Sequence, residues 1–507
     1  MRFHGVKHYL RLPDLISRVK GAKAVINLTP ILLLSLRKYL EGVEDRALYY
    51  SLRDPGSLAY SEKAYILRFF FDINHNSPIN RFPVYEELCE KRRGKTLEEA
   101  VLSFTSRDLT NLIFLFNLSF LPTSVLENDT VLSALVKQRR NFSSDDAKMV
   151  IDHQFRILKE VIPYHLKLSQ EGVLELATSP FTHPILPLLI NTSIAKVPEP
   201  GLPLPEKPFC YPEDVMVQLR KGRALFEEIF GFSPSGLWPS EGAVCQTSLG
   251  FAGESGFEWV ATDEGILERS LNVKIRSDGK LPEPEILYRA YEFNRVKIFF
   301  RDRILSDRIS FLYRNMLPDE AVKDFVHYLK EVHQNLKEGE RHHVLVALDG
   351  ENPWDNYPGE GSLFITTLFS TLTGLPWIRV TTPSAYLQLV GEAKELKELH
   401  PGSWIGANFN TWIGGEEENC AFELLRRTRE FLTDFEKKHP GDPGLKRAYD
   451  HLYSAEGSDW FWWSGKEQES GRDDIFDFIF RRHLLGVYLE LNITPPPYLE
   501  EPIVLSK

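Results

Sequence analysis

The sequence predicts an α/β protein built on parallel strands, and two observations carry that reading. Short β-branched or aromatic runs recur along the chain: AVINLTP (24–30), VLELATSPF (173–181), GLWPSE (236–241), FEWVATDEG (257–265), VKIFFRD (296–302), HHVLVALDGE (342–351) and WIRVTTP (377–383). Many are followed by a helical pattern. Continuous apolar strands alternating with amphipathic helices imply parallel strands buried on both faces, hence an α/β sheet or barrel.

The intervening elements have recognisable punctuation. Residues from about 40 to 170 read as mostly helical and are expected to insert into the strand framework. The last helix of that region, SSDDAKMVIDHQFRILKEVIPYHLKLSQEG, opens with Ser/Asp caps and closes on Gly172. PEDVMVQLRKGRALFEEIFG starts with Pro at a first turn and closes on Gly231. LPDEAVKDFVHYLKEVHQNL has apolar positions at helical spacing. Beyond about residue 400 the strand runs give out. Helical stretches (ENCAFELLRRTREFLTDFEKKH, DIFDFIFRRHLLGVYLEL) then flank Trp-rich segments, until the PPP run at 495–497 ends the regular structure.

Composition narrows the function classes. The chain has 507 residues, 60 basic against 71 acidic side chains, and so a net charge of −11. That balance argues against nucleic acid as a partner, because binding it relies on basic surface to neutralise phosphates. The four cysteines, Cys89, Cys210, Cys245 and Cys420, stand singly with no CxxC or Cys/His spacing. Reduced thiols are therefore expected, and no zinc knuckle. The N-terminal segment is interrupted by charges and lacks the apolar core of a signal peptide. The most apolar stretch, residues 25–36, is too short to span a bilayer. The expectation is a soluble, cytoplasmic protein without membrane contact. Its aromatic content, 12% with nine Trp, calls for a use.

The candidate chemistry lies just after the strand runs. GLWPS runs into Glu241, VLVAL into Asp349, WVAT into Asp263 and VLELATSPFT into His183. In a parallel α/β barrel the C-terminal strand ends open onto one face, and the loops there carry function. The plainer role of a lone acidic residue after a strand is a helix N-cap or turn, and Asp263 in TDEG suits it. Glu241 suits it less, being crowded by Trp238, Pro239 and Gly242. Asp349 opens DGENPWDNYPGEG, where four acidic residues and two aromatics share positions 349–361. The plainer role of His183, in THPILPLL, is a core histidine satisfied by a backbone carbonyl.

Two carboxylates on one rim, walled by aromatics, suit sugar chemistry. Glycosidic cleavage needs one carboxyl as acid/base and a second as nucleophile or water activator. Aromatic faces stack on pyranose rings, which gives the Trp excess a use. Half of the late tryptophans are nonetheless expected in the core.

GLWPSEGAV, ALDGENPWDNYPGEG, SPFTHPILPLL and WIGANFNTWIGGEEENCAFELL resemble consecutive signature regions of glycoside hydrolase family 57. The likeness runs from HGVKHYLRLPDLI to SDWFWWSG and beyond, and most resembles the amylase/amylopullulanase-like group. It implies an incomplete (β/α)7 barrel with helical insertions. Residues 1–400 would form the catalytic barrel, with the insertion around 40–170. Residues 401–507 would be a helical region completing the substrate cleft. It further implies a retaining double displacement on α-1,4-linked glucans, with Glu241 as nucleophile and Asp349 as general acid/base. His183, Trp238, Asp263, Trp354, Trp412 and Trp460 would lie in or near the sugar cleft, and no metal or cofactor is implied. The family's first signature, His-Gln-Pro at the end of the first barrel strand, has no counterpart. MRFHGVKHYL resembles sequence just downstream of it, so either the start is short by one strand and loop or that strand is lost.

On this reading Asp349 is protonated and Glu241 ionised at rest, with carboxyls about 5–5.5 Å apart. Three alternatives stand beside hydrolysis. One is 4-α-glucanotransferase or branching activity through the same intermediate. Another is a catalytically impaired carbohydrate-binding protein, motivated by the missing signature. The third, a metal-dependent sugar hydrolase or deacetylase, lacks an HxxH or comparable cluster, and His342 and His343 stand at the wrong end of their strand run.

Overall fold

The computed structural model describes residues 1–73, 77–277, 279–351, 353–465, 468 and 470–503. Its strands are β1 (Ala24–Asn27), β2 (Leu174–Ala177), β3 (Gly236–Leu237), β4 (Trp259–Asp263), β5 (Tyr291–Phe293), β6 (Val296–Arg301) and β7 (Lys394–Glu395). β1 and β2 pair in parallel, with Ala24 opposite Leu174. A parallel bridge between Thr178 and Leu237 carries the sheet on to β3. β3 to β4 and β4 to β6 are parallel ladders. A further parallel bridge, Arg301 with Leu345, adds the segment 342–348. The frame is therefore a run of parallel strands whose C-terminal ends share one rim, as expected of an α/β barrel with helical regions.

β5 departs from that pattern. It returns antiparallel against β6 through a two-residue turn, Asn294 (φ 48°) and Arg295 (φ 67°). Two successive left-handed residues match the twist of a tight hairpin. β5 also pairs in parallel with β7.

The runs at 342–351 and 377–383 form no ladder beyond that one bridge, although both were expected as strands. The reason is local. A cavity of about 2060 Å³ lies between them and β1, lined by 24–27 on one side and by 342–349 and 377–381 on the other. Backbone facing a cavity has no neighbouring strand to pair with.

The helices follow their sequence signals. Ser143 caps Ser144–Gln170, its hydroxyl accepting from Asp146 N at 3.1 Å. Pro212–Phe230 has Pro near its start and Gly231 left-handed after its end. Pro318–Asn335, Glu416–Lys438 and Asp473–Glu490 fall where the apolar spacing placed them. The stretch between 40 and 170 is helical throughout its regular structure.

The two larger buried apolar clusters among the described residues hold these layers together. One joins the strands to the late helices through Leu237, Val260, Phe300, Phe409, Leu425 and Leu484. The other fills the early helices with Leu33, Phe70, Leu112, Phe114, Val150 and Phe226. Gly236 shows how tightly β3 is set: a Cβ there would lie 2.1 Å from the Trp259 ring. Trp259 is itself pinned, its indole N–H donating to Glu175 Oε1 at 2.7 Å.

Among the described residues no helix is long and apolar enough to cross a membrane. The four cysteines are unpaired.

Candidate active site

Glu241 sits on the short turn Ser240–Gly242 that follows β3, in a left-handed conformation (φ 57°, ψ 28°). For a residue with a Cβ this costs about 1–3 kcal/mol and persists only where surroundings over-determine it. Those surroundings are visible. The Glu241 carbonyl accepts from Trp404 N at 3.0 Å, and the Gly242 carbonyl accepts from Thr262 Oγ1 at 2.6 Å. A Cβ on Gly242 would meet Trp404 Cβ at 3.2 Å. The loop carrying Trp404 is held by an antiparallel bridge between Val244 and Gly402. The Trp404 indole N–H then donates to Glu241 Oε2 at 2.8 Å. Trp238 stands edge-on to Trp404 at 5.2 Å, completing an aromatic wall.

His183, Trp238, Glu241, Asp349 and Trp354 all line the cavity. Asp349 lies exposed on the loop that follows 342–348. Burial pushes the Glu241 carboxyl up to about 8; the Asp349 charge adds to the push, the Trp404 donor opposes it, and Asp459 adds a smaller push. Below that pH Glu241 carries a proton, whereas the sequence reading has it ionised at rest. The physical reason is enclosure, since Glu241 is walled by two tryptophans. Glu351, two residues further on, is pushed up to about 7 by burial and then by the Asp349 charge, with Tyr9 OH 3.4 Å from its Oε2.

His183 is also left-handed (φ 61°). Its carbonyl accepts from Ser458 N at 3.0 Å, and its Nδ1 lies 3.1 Å from Ser458 Oγ. Burial lowers its pKa against the pull of Asp459 and Asp349, which leaves a neutral imidazole at neutral pH. Trp354 donates its N–H to the Gly350 carbonyl at 3.0 Å. Gly361 (φ 73°) lets the chain pass it, since a Cβ there would come within 2.8 Å of the ring.

Three expected cleft residues lie elsewhere. Asp263 is fully buried, caps the following helix through Gly265 N at 2.9 Å, and is ion-paired to Arg301 at 2.8 Å and to Arg303. Trp412 is fully buried behind Trp462, at 5.8 Å between rings. Trp460 turns away, donating to the Ser454 carbonyl at 2.7 Å. In their place the cavity is lined by Trp404, Asp459, Trp462 and Trp463. The signal for them lay in quoted motifs: Trp404 opens WIGANF, and Asp459 stands in SDWFWW, one residue before Trp460. Among the described residues no group of three or more His, Cys, Asp or Glu is arranged to hold a metal ion.

The sequence profile of Glycosyl hydrolase family 57 matches residues 1–398. The chain belongs to that family. No curated protein matches it. Its fold is similar to that of a branching enzyme from Thermococcus kodakaraensis, with TM-score 0.60, 18% identity, and 97% of this chain and 85% of that chain covered. A branching enzyme from Pyrococcus horikoshii gives TM-score 0.58 and 17% identity, with 98% and 88% covered. The α-amylase AmyC from Thermotoga maritima gives TM-score 0.57 and 14% identity, with 97% and 88% covered.

Proposed function

We propose that this chain is a retaining glycoside hydrolase acting on α-1,4-linked glucans, with Glu241 as nucleophile and Asp349 as general acid/base. The observation that carries the reading is that both carboxyls line one aromatic-walled cavity, where burial and then the Asp349 charge keep a proton on Glu241. Substrate entry moves that proton to Asp349, where the glycosidic oxygen can accept it. Glu241 then attacks the anomeric carbon as the glycosidic bond breaks, and Asp349 gives its proton to the leaving oxygen. Water, deprotonated by Asp349, attacks the same carbon, and the ester bond to Glu241 breaks. The family membership and the α-amylase among the similar folds support this class of substrate.

Transfer is the second reading, favoured by the two branching enzymes among the similar structures. It shares the first half of the sequence and differs in the acceptor, a sugar hydroxyl in place of water. Product analysis on maltooligosaccharides separates the two. Hydrolysis raises the count of reducing ends, disproportionation redistributes chain lengths at constant reducing ends, and branching creates α-1,6 linkages. Glu241→Gln and Asp349→Asn are each expected to abolish turnover with the fold intact. Near-normal rates in either variant contradict the assignment.

A further inference from the structure

Asp263 is the acidic residue that the strand pattern singled out and the cavity excludes, and its surroundings give it a different task. It sits at the end of β4, fully buried, and receives two guanidinium groups, from Arg301 at the end of β6 and from Arg303 just beyond. Arg301 Nη1 also donates to the Ala347 carbonyl at 3.1 Å, tying the segment that leads to Asp349 into the same cluster. The guanidinium is thereby fixed from both sides. Its Cζ lies 4.6 Å from the centre of the Trp404 ring. Trp404 donates to Glu241 Oε2 at 2.8 Å. Four residues from four separate stretches of chain thus form one line, Asp263 to Arg301 to Trp404 to Glu241.

We propose that Arg301 is a positioning residue that acts through Trp404: held by Asp263 and the Ala347 carbonyl, it lies on the indole face and fixes the N–H as a donor to the Glu241 carboxylate. A cation over an indole face is attracted by the ring quadrupole and draws electron density from the ring. The N–H at the ring edge becomes a stronger donor, and a donor aimed at a carboxylate favours its ionised form. A nucleophilic carboxylate must be ionised, so the line keeps Glu241 within reach of deprotonation in a site whose other features oppose it. Those opposing features are burial and the charges of Asp349 and Asp459. The other titratable neighbours are His183, neutral at neutral pH, Glu351 in the Asp349 loop, and Arg303 and Asp307 beyond Arg301. Two arginines face Asp263 and, at 3.9 Å from Arg301, Asp307, so the charges nearly balance and it is the guanidinium seated on the ring face that acts on the indole.

The proposal rests on Glu241 being the nucleophile, and its test includes a readout that needs no turnover. Trp404→Phe keeps a ring and deletes the donor; Arg301→Met keeps the stem and deletes the charge; Arg301→Lys keeps the charge and loses the fork. The carboxyl C=O band of Glu241 is followed by difference infrared titration against Glu241→Gln, alongside the pH profile of kcat/KM on maltoheptaose. Both Trp404→Phe and Arg301→Met are expected to raise the Glu241 midpoint by about one pH unit, a tenfold loss of the ionised form. Arg301→Lys is expected to shift it by less. The double variant is expected to shift no further than either single one, because both changes remove the same donor. An unmoved midpoint in folded Arg301→Met overturns the proposal, as do additive shifts in the double variant. If Arg301→Met does not fold, Arg301→Lys with Trp404→Phe decides by the same criteria. Wild-type protein without turnover on any α-glucan would overturn the proposed activity, while the infrared titration would still decide the role of Arg301.

Discussion

Glu241→Gln removes a carboxyl whose pKa the fold raises from 4.5 to about 8, and the sign of the effect on stability follows from linkage. Between those two values the native state binds a proton that the unfolded chain has released. Stability contributed by this group is therefore undiminished below about pH 4.5 and falls as pH rises toward about 8. At about 1.4 kcal/mol per pH unit the full shift has an upper bound close to 5 kcal/mol. Glu241 is half-buried and faces a water-accessible cavity, so screening reduces that bound to about 2 kcal/mol. An unfolding entropy of roughly 2.1 cal/mol/K per residue turns this into a rise of about 2 °C in Tm. The assay is scanning calorimetry of both proteins at about pH 5 and about pH 8.5, at a fixed scan rate. Gln accepts the Trp404 hydrogen bond without titrating, so the variant should match wild type at the lower pH and exceed it at the higher. Melting curves that stay parallel at both pH values would refute the reasoning.

Three further outcomes follow from the same geometry. Glu241 loses its proton above about pH 8 and has none to pass on for the leaving oxygen, so kcat/KM should fall there about tenfold per unit in a pH–rate profile, and Glu351→Gln should not abolish that limb. Gly236→Ala places a Cβ against the Trp259 ring and should cost about 3 kcal/mol or more by urea unfolding, whereas Gly250→Ala, with open space around it and no left-handed backbone, should cost far less. Arg2 donates to Asn117 Oδ1 at 3.1 Å and to Gln154 Oε1 at 2.5 Å in a buried cluster, so Arg2→Ala should destabilise by about 3 kcal/mol in the same assay.

The parallel framework was legible because each strand run is short, apolar and followed by a periodic helix. The rim was legible for a related reason: parallel strands open their C-terminal ends onto one face, so a carboxylate or histidine just after an apolar run is delivered there. Glu241, Asp349 and His183 were found that way, and all three line the cavity. Trp404 was not singled out, because its contact with Glu241 joins positions 163 residues apart and no local pattern reports it. Asp263 illustrates the opposite error. Its position in TDEG shows an N-cap, which the structure contains, but the same signal was extended to the cleft. Trp412 and Trp460 lie in the right segments with the wrong facing, since an aromatic in a Trp-rich loop can equally pack inward. The runs at 342–351 and 377–383 have strand composition without ladders, because pairing depends on what occupies the neighbouring edge and not on propensity alone.

If Glu241 is the nucleophile it forms a covalent bond to the sugar, and that species can be trapped. A 2-deoxy-2-fluoro or 5-fluoro α-glycosyl fluoride slows the second displacement, so the glycosyl-enzyme accumulates and its site can be read by peptide mass spectrometry. A single glycosyl adduct is expected on the peptide containing GLWPSEGAV, located at Glu241 and absent from Glu241→Gln. An adduct on any other carboxylate, or turnover of the natural glucan with no adduct, would contradict that role.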